Sequence, residues 1–169
     1  MGYDLFSIHP SGQALEGENA YKIGDEARFG IDIWPVVLKL AQSYGWKPEG
    51  TQGPDYDDPN LKMSDDWDGN YLTNDGQIVT DDDAAALADA LESALPDIPD
   101  HEIPGKWKNQ RADQLSPILG KAVRELYGED VLVPAINRDL SAFELLSGPT
   151  KNNVIWFIRL CRRGKFLIW

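Results

Sequence analysis

The sequence predicts an α+β fold, a small sheet that includes the N- and C-terminal strands and is covered by about four helices. Three observations predict it. Residues 3–8 and 166–169, at opposite ends of the chain, are short runs of β-formers bounded by turn residues. Apolar stripes of helical period lie between them. With 169 residues, 42% of them apolar, the chain suffices for one domain with a real core, spanning residues 1–169.

The first strand, residues 3–8, ends at His9-Pro10-Ser11-Gly12. Residues 11–30 read as a polar, Gly-rich loop with room for a short strand at 20–23. A helix follows, with Asp32 as its expected cap, Pro35 in its first turn and Gly45 closing it. Ile33, Val37, Leu40, Ala41 and Tyr44 share one face of that helix. Residues 47–68 form a long acidic loop containing Asp55, Asp57, Asp58, Asp65, Asp66 and Asp68. Asn74-Asp75-Gly76 is a turn signal between residues 71–73 and 77–79, which the pattern predicts to pair as a hairpin.

Thr80 then caps a helix that opens with Asp81-Asp82-Asp83, where carboxylates meet the positive end of the helix dipole. Ala84, Leu87, Ala88, Leu91 and Leu95 form its stripe, and Pro96 stops it. Residues 96–105 make a Pro-rich connector. Ser116-Pro117 opens a third helix running to Tyr127, with Leu119, Ala122, Val123 and Leu126 facing inward. Residues 131–133 suit a short strand and 141–146 a helical turn or two. A last helix covers residues 153–163 and stops at Gly164 before the terminal strand.

The charge of −12 is unevenly placed. Residues 1–103 carry 22 acidic and 5 basic side chains, net −17, whereas residues 104–169 carry 6 and 11, net +5. Two readings follow. The halves neutralise one another by packing together, or the acidic part faces outward and attracts a basic protein surface. Direct nucleic-acid binding is disfavoured on either reading, because phosphate contacts need a basic footprint. No run approaches the roughly 18 apolar residues of a membrane span. The start, Met1-Gly2-Tyr3-Asp4, has no signal-peptide character. The one cysteine, Cys161, excludes an internal disulfide and fits a reducing compartment, so a cytoplasmic location is expected.

A Met1-Gly2-x-Asp4 start, the Trp34-Pro35 helix, an Asn-Asp-Gly turn leading into an Ala/Leu helix, and Phe157-x-Arg159-x-Cys161-x-x-Gly164-x-Phe166-x-Ile168 occur together in this chain. In these features it resembles a family of small, uncharacterised bacterial and phage proteins. The resemblance implies a phage or bacterial setting and a shared fold. It implies no catalytic residue.

Chemistry-bearing motifs are few. Asp75-Gly76-x-Ile78 matches part of a calcium-binding loop, but that register puts Tyr71 and Thr73 where oxygen-rich ligands are required. Turn chemistry accounts for the same residues. His101-Glu102 lacks the second histidine of a zinc-protease helix, since Pro104 and Gly105 follow. Neither a phosphate-binding Gly-Lys-Ser/Thr loop nor a Gly-x-Ser-x-Gly elbow occurs, and no cofactor or metal site is expected. Cys161 lies near Arg159, Arg162 and Arg163, which would activate a thiol, yet it shares a helix face with Val154, Phe157 and Ile158 and reads better as a core residue. Six tryptophans among many aspartates suit a carbohydrate site, but Trp34 and Trp156 are expected in the core.

The functional expectation is an acidic protein-binding module, with Asp57, Asp58, Asp65, Asp66, Trp67, Asp68 and Asp75 as binding residues. In a phage or mobile-element setting it would mimic nucleic-acid charge on a basic protein surface. Two alternatives stand beside it. One is a small carboxylate hydrolase around Asp68 and Asp75, with or without a divalent cation. The other is a structural or assembly component, for which self-association would be the mark.

Overall fold

The computed structural model describes residues 2–8, 26–53, 70–128 and 130–169. Within them, apolar alternation brings the two chain ends together. Tyr3 and Leu5 are buried in Gly2–Ser7 (β1), as are Phe166 and Ile168 in Phe166–Ile168 (β6). The two strands pair antiparallel, with Leu5 opposite Ile168 and Ser7 opposite Phe166. Glu26–Gly30 (β2) and Gln77–Val79 (β3) complete a four-stranded antiparallel sheet of order β2-β1-β6-β3. The α+β class expected from the sequence is what the chain adopts.

β2 lies in a stretch read from the sequence as loop, and the expected strand at 20–23 falls outside the described residues. Only Ala27 and Phe29 mark β2 as amphipathic, too short an alternation to stand out. Its opposite face is held by a cross-strand pair, Arg28 to Asp4 at 2.7 Å.

The expected hairpin does not form. β3 pairs with β6, Gln77 opposite Ile168, and its other edge is bridged by Gln52 rather than by residues 71–73. The reason is Tyr71. Its backbone turns to φ 58°, sending the side chain into the interior, where it meets Trp46 edge-to-face at 5.3 Å. The turn signal itself holds, since Gly76 has φ 83°.

Four helices share the main core with this sheet: Trp34–Ser43 (α1), Asp81–Ala94 (α2), Ala142–Leu145 (α4) and Pro149–Cys161 (α5). Ala84, Leu87, Ala88 and Leu91 of the α2 stripe are fully buried, as its periodicity predicts. An aromatic chain runs through the centre. Trp34 stacks on Phe29 at 5.7 Å, meets Phe157 edge-on at 5.3 Å, and Phe157 meets Phe166 edge-on at 5.4 Å. Asp32 does not cap α1. Ile33 occupies the cap position without a side-chain bond, and Asp32 instead pairs with Arg138. α5 begins at Pro149, earlier than expected, because Gly148 at φ 62° turns the chain and Pro149 suits a first helical position.

A smaller unit packs beside this core. Trp107–Arg111 (β4), absent from the sequence reading, pairs antiparallel with Leu132–Ile136 (β5), a strand longer than the expected 131–133. Pro134 is tolerated because each strand of a two-stranded ribbon has a free edge. Pro117–Tyr127 (α3) lies on this ribbon, capped by Ser116 Oγ as expected, and buries Val123 with Ala112, Leu115 and Ala135. Leu126, expected inward, is 72% exposed, because this second core ends before the last turn of the helix. Trp156 is also exposed, since α5 buries Phe157 and Ile158 and turns residue 156 away from the sheet.

Candidate functional site

The acidic segment expected to bind a partner is flanked by residues 46–53 and 70–76, and a buried polar network holds both flanks. Its centre is Asp83, the third residue of α2, with no solvent exposure. Thr80 Oγ1 accepts the Asp83 backbone N–H at 3.3 Å and so sets the first turn. The Asp83 carboxylate accepts from Trp46 Nε1 at 2.8 Å and from the Tyr71 hydroxyl at 2.5 Å. It occupies the first turn of the helix, where the dipole favours an anion. The Tyr71 oxygen in turn accepts from the Gly50 N–H at 2.9 Å. Burial, and then the hydrogen bond to Asp83, hold the Tyr71 hydroxyl far above its ordinary pKa.

Gln77 does the same work one strand away. It is fully buried, and its Oε1 accepts from Thr51 Oγ1 at 2.6 Å and from Tyr71 N at 3.0 Å. Its Nε2 donates to the Thr73 carbonyl. Gln52 and Ile78 exchange two backbone hydrogen bonds of 2.8 Å. Trp34 Nε1 donates to the Tyr71 carbonyl at 2.8 Å, and the Tyr3 hydroxyl donates to that of Leu72 at 2.6 Å. Every one of these buried polar groups has a partner, which is the condition for such a network to stabilise rather than strain.

Of the seven site residues expected from sequence, Asp57, Asp58, Asp65, Asp66, Trp67 and Asp68 lie outside the described residues. Asp75 is exposed in the turn before β3, where its carboxylate accepts from Thr73 Oγ1 at 3.1 Å. The following Gly76 N–H bonds to the Ile168 carbonyl at 2.9 Å, so this turn is tied to the C-terminal strand. Among the described residues, no three His, Cys, Asp or Glu side chains are grouped so as to hold a metal ion. The sequence pattern places Asp83 with Asp81 and Asp82 at the helix dipole. The missed signal was Gln77, a polar residue alternating with Val79 on the buried face of a strand.

Acidic and basic parts of the chain do meet. Arg138 pairs with Asp32 at 3.1 Å, Lys151 with Asp100 at 2.7 Å, and Arg162 with both Asp89 at 2.5 Å and Glu92 at 2.7 Å. Asp81 accepts the Lys165 backbone N–H at 2.8 Å, joining the start of α2 to the turn before β6. Solvent screens pairs of this kind at the surface, so each contributes little to stability. They show that part of the charge asymmetry is internal complementarity.

Among the described residues, two further titratable groups are buried. Lys106 is 3% exposed, and its Nζ donates to Thr150 Oγ1 at 2.6 Å and to the Ser147 carbonyl at 3.3 Å, fastening the ribbon to the start of α5. Burial lowers its pKa, opposed by nearby Glu102. Cys161 is buried as a free thiol, and burial, then the charge of Asp83, push its pKa well up. It is a core residue, as its helix face predicts. No helix among the described residues is long and apolar enough to cross a membrane. No protein-family model matches the chain, and no curated protein or solved structure matches it significantly.

Proposed function

We propose that this chain is an acidic protein-binding module that engages a basic surface on another protein. In a phage or mobile-element setting it would act as an inhibitor that mimics the charge of a nucleic acid. The observation that carries this reading is the base on which the acidic segment stands. Residues 54–69 contain six aspartates against one lysine, and the stretches on both sides are fastened to the sheet and to α2 through Asp83, Tyr71 and Gln77. A concentration of like charge is costly to a fold and useful to a binding surface, where it speeds encounter with an opposite charge. Trp67 within that segment supplies an aromatic of the kind that anchors interfaces.

The test begins with a basic protein captured from a bacterial host lysate and eluted by salt. Its affinity for the chain is then measured across ionic strength, with and without reversal of Asp57, Asp58, Asp65 and Asp66 to lysine. The reversed variant should bind at least about tenfold more weakly and with a flatter salt dependence. Unchanged affinity and slope would sink the reading.

A further inference from the structure

A cleft of about 560 Å³ opens where the ribbon unit meets the main core. Its walls are apolar and come from both units. Ile31 and Val36 line it from the α1 side, Leu140 and Leu145 from around α4, Ile136 from the end of β5, and Ile118 from the first turn of α3. Ile118 is 55% exposed and Leu72, also in the lining, 43%, so apolar surface here stands open to solvent. The volume lies in the range of small-ligand sites, which combine apolar walls with a few placed polar groups.

Among the described residues its charged groups are three: Asp32, Lys39 and Arg138. Arg138 Nη2 donates to Asp32 Oδ1 at 3.1 Å, a contact that holds the guanidinium over the cleft. A guanidinium has five N–H donors, so one such contact leaves a fork for another acceptor. Lys39 is exposed and has no carboxylate partner among the described residues. Two cations and one anion make the cleft locally positive in a chain of net charge −12. That local balance attracts a single negative charge.

We infer that this cleft binds a small amphiphilic monocarboxylate. Its acyl or aryl body lies against Ile118, Ile136 and Leu145, and its carboxylate is received by Arg138 and Lys39. A single negative charge matches the local balance, and the planar fork of Arg138 matches a carboxylate. The residues that would hold the ligand, Lys39, Ile118, Ile136, Arg138 and Leu145, are not those proposed to bind the protein partner, so the inference stands or falls independently of that binding.

Octanoate is the probe, titrated into the full chain by calorimetry and by amide chemical shift, beside octanol and octylamine of the same chain length. Octanoate should bind at least about tenfold more tightly than either, shifting amides of residues around Lys39, Ile118 and Arg138. Lys39→Glu, at an exposed position, should weaken octanoate by about tenfold or more with an unchanged melting temperature, and Ile118→Asp should weaken all three probes. Equal binding of octanol, indifference to Lys39→Glu, shifts confined to other regions, or no binding at millimolar octanoate would each overturn the inference.

Discussion

The Tyr71 hydroxyl reaches the buried Asp83 carboxylate at 2.5 Å from a backbone held at φ 58°. A left-handed tyrosine costs on the order of 1 kcal/mol, so its persistence means that its contacts outweigh the strain. The contacts are the carboxylate, the Trp46 ring, and the bonds its backbone makes to Gln77 and Trp34. This pair joins the stretch after the acidic segment to α2. Trp46, donating to the same carboxylate, joins the stretch before it.

Tyr71→Phe removes a charge-assisted hydrogen bond and leaves the Gly50 N–H without its acceptor. We expect a loss of about 2 kcal/mol in urea unfolding. Asp83→Ala should cost as much or more, since the Trp46 N–H and the Tyr71 hydroxyl both lose their partner. In a double-mutant cycle the two changes should couple by about 1 kcal/mol or more. Strict additivity would mean that the bond contributes nothing.

Two glycines with positive φ should respond differently to alanine. Gly45, at φ 97°, has open space where a Cβ would stand, so Gly45→Ala carries only the backbone term of about 1–2 kcal/mol. Gly148, at φ 62°, faces the backbone of Glu102, and an added Cβ would lie 2.8 Å from its N and Cα. Gly148→Ala should cost about 3 kcal/mol or more, because backbone on both sides must shift. Equal losses would show that the Glu102 contact is not tight.

Alkaline pH should weaken the fold through its tyrosines. Burial raises the hydroxyls of Tyr3 and Tyr71, while in the unfolded chain each titrates near 10.0. The folded state therefore keeps protons that the unfolded state releases. Stability from this source is fully present below about pH 10 and is lost as the pH climbs beyond it. Between about pH 9 and about pH 11 the wild type should lose more stability than Tyr71→Phe, and the folded variant should show the same tyrosinate absorbance as the wild type. A Tyr71→Phe curve parallel to the wild type would contradict this.

Two tryptophans that the sequence places alike should separate by mutation. Trp34 is fully buried and hydrogen-bonded to the Tyr71 carbonyl, so Trp34→Ala should cost about 3–5 kcal/mol. Trp156 is 47% exposed, and Trp156→Ala should stay within about 0.5 kcal/mol by thermal or urea unfolding. A large loss at Trp156 would place it in an interface between copies of the chain.

Reading the chain in order recovers its helices well, for a physical reason. A helix writes its buried face within a dozen residues, and its caps are local, as Thr80, Ser116 and Ser141 show. The strands that escaped notice, Glu26–Gly30 and Trp107–Arg111, have only two apolar residues and one apolar residue respectively, and their identity depends on a partner strand. The expected site was legible only as charge. Which acids bind inward and which stay outward is invisible in a run such as Asp81-Asp82-Asp83, where the third is buried and the first two are exposed.

By itself, then, the sequence determined the α+β class, the end strands, the helix stripes and the imbalance of charge, because each of these is set by neighbours along the chain. The tertiary structure decided that Gln77–Val79 pairs with Phe166–Ile168, that Asp83 and Tyr71 fasten the flanks of the acidic segment, and that an open apolar cleft carries Lys39 and Arg138. Each of those joins residues of different elements. Burial and hydrogen-bond satisfaction choose among such partners only once the whole chain has folded.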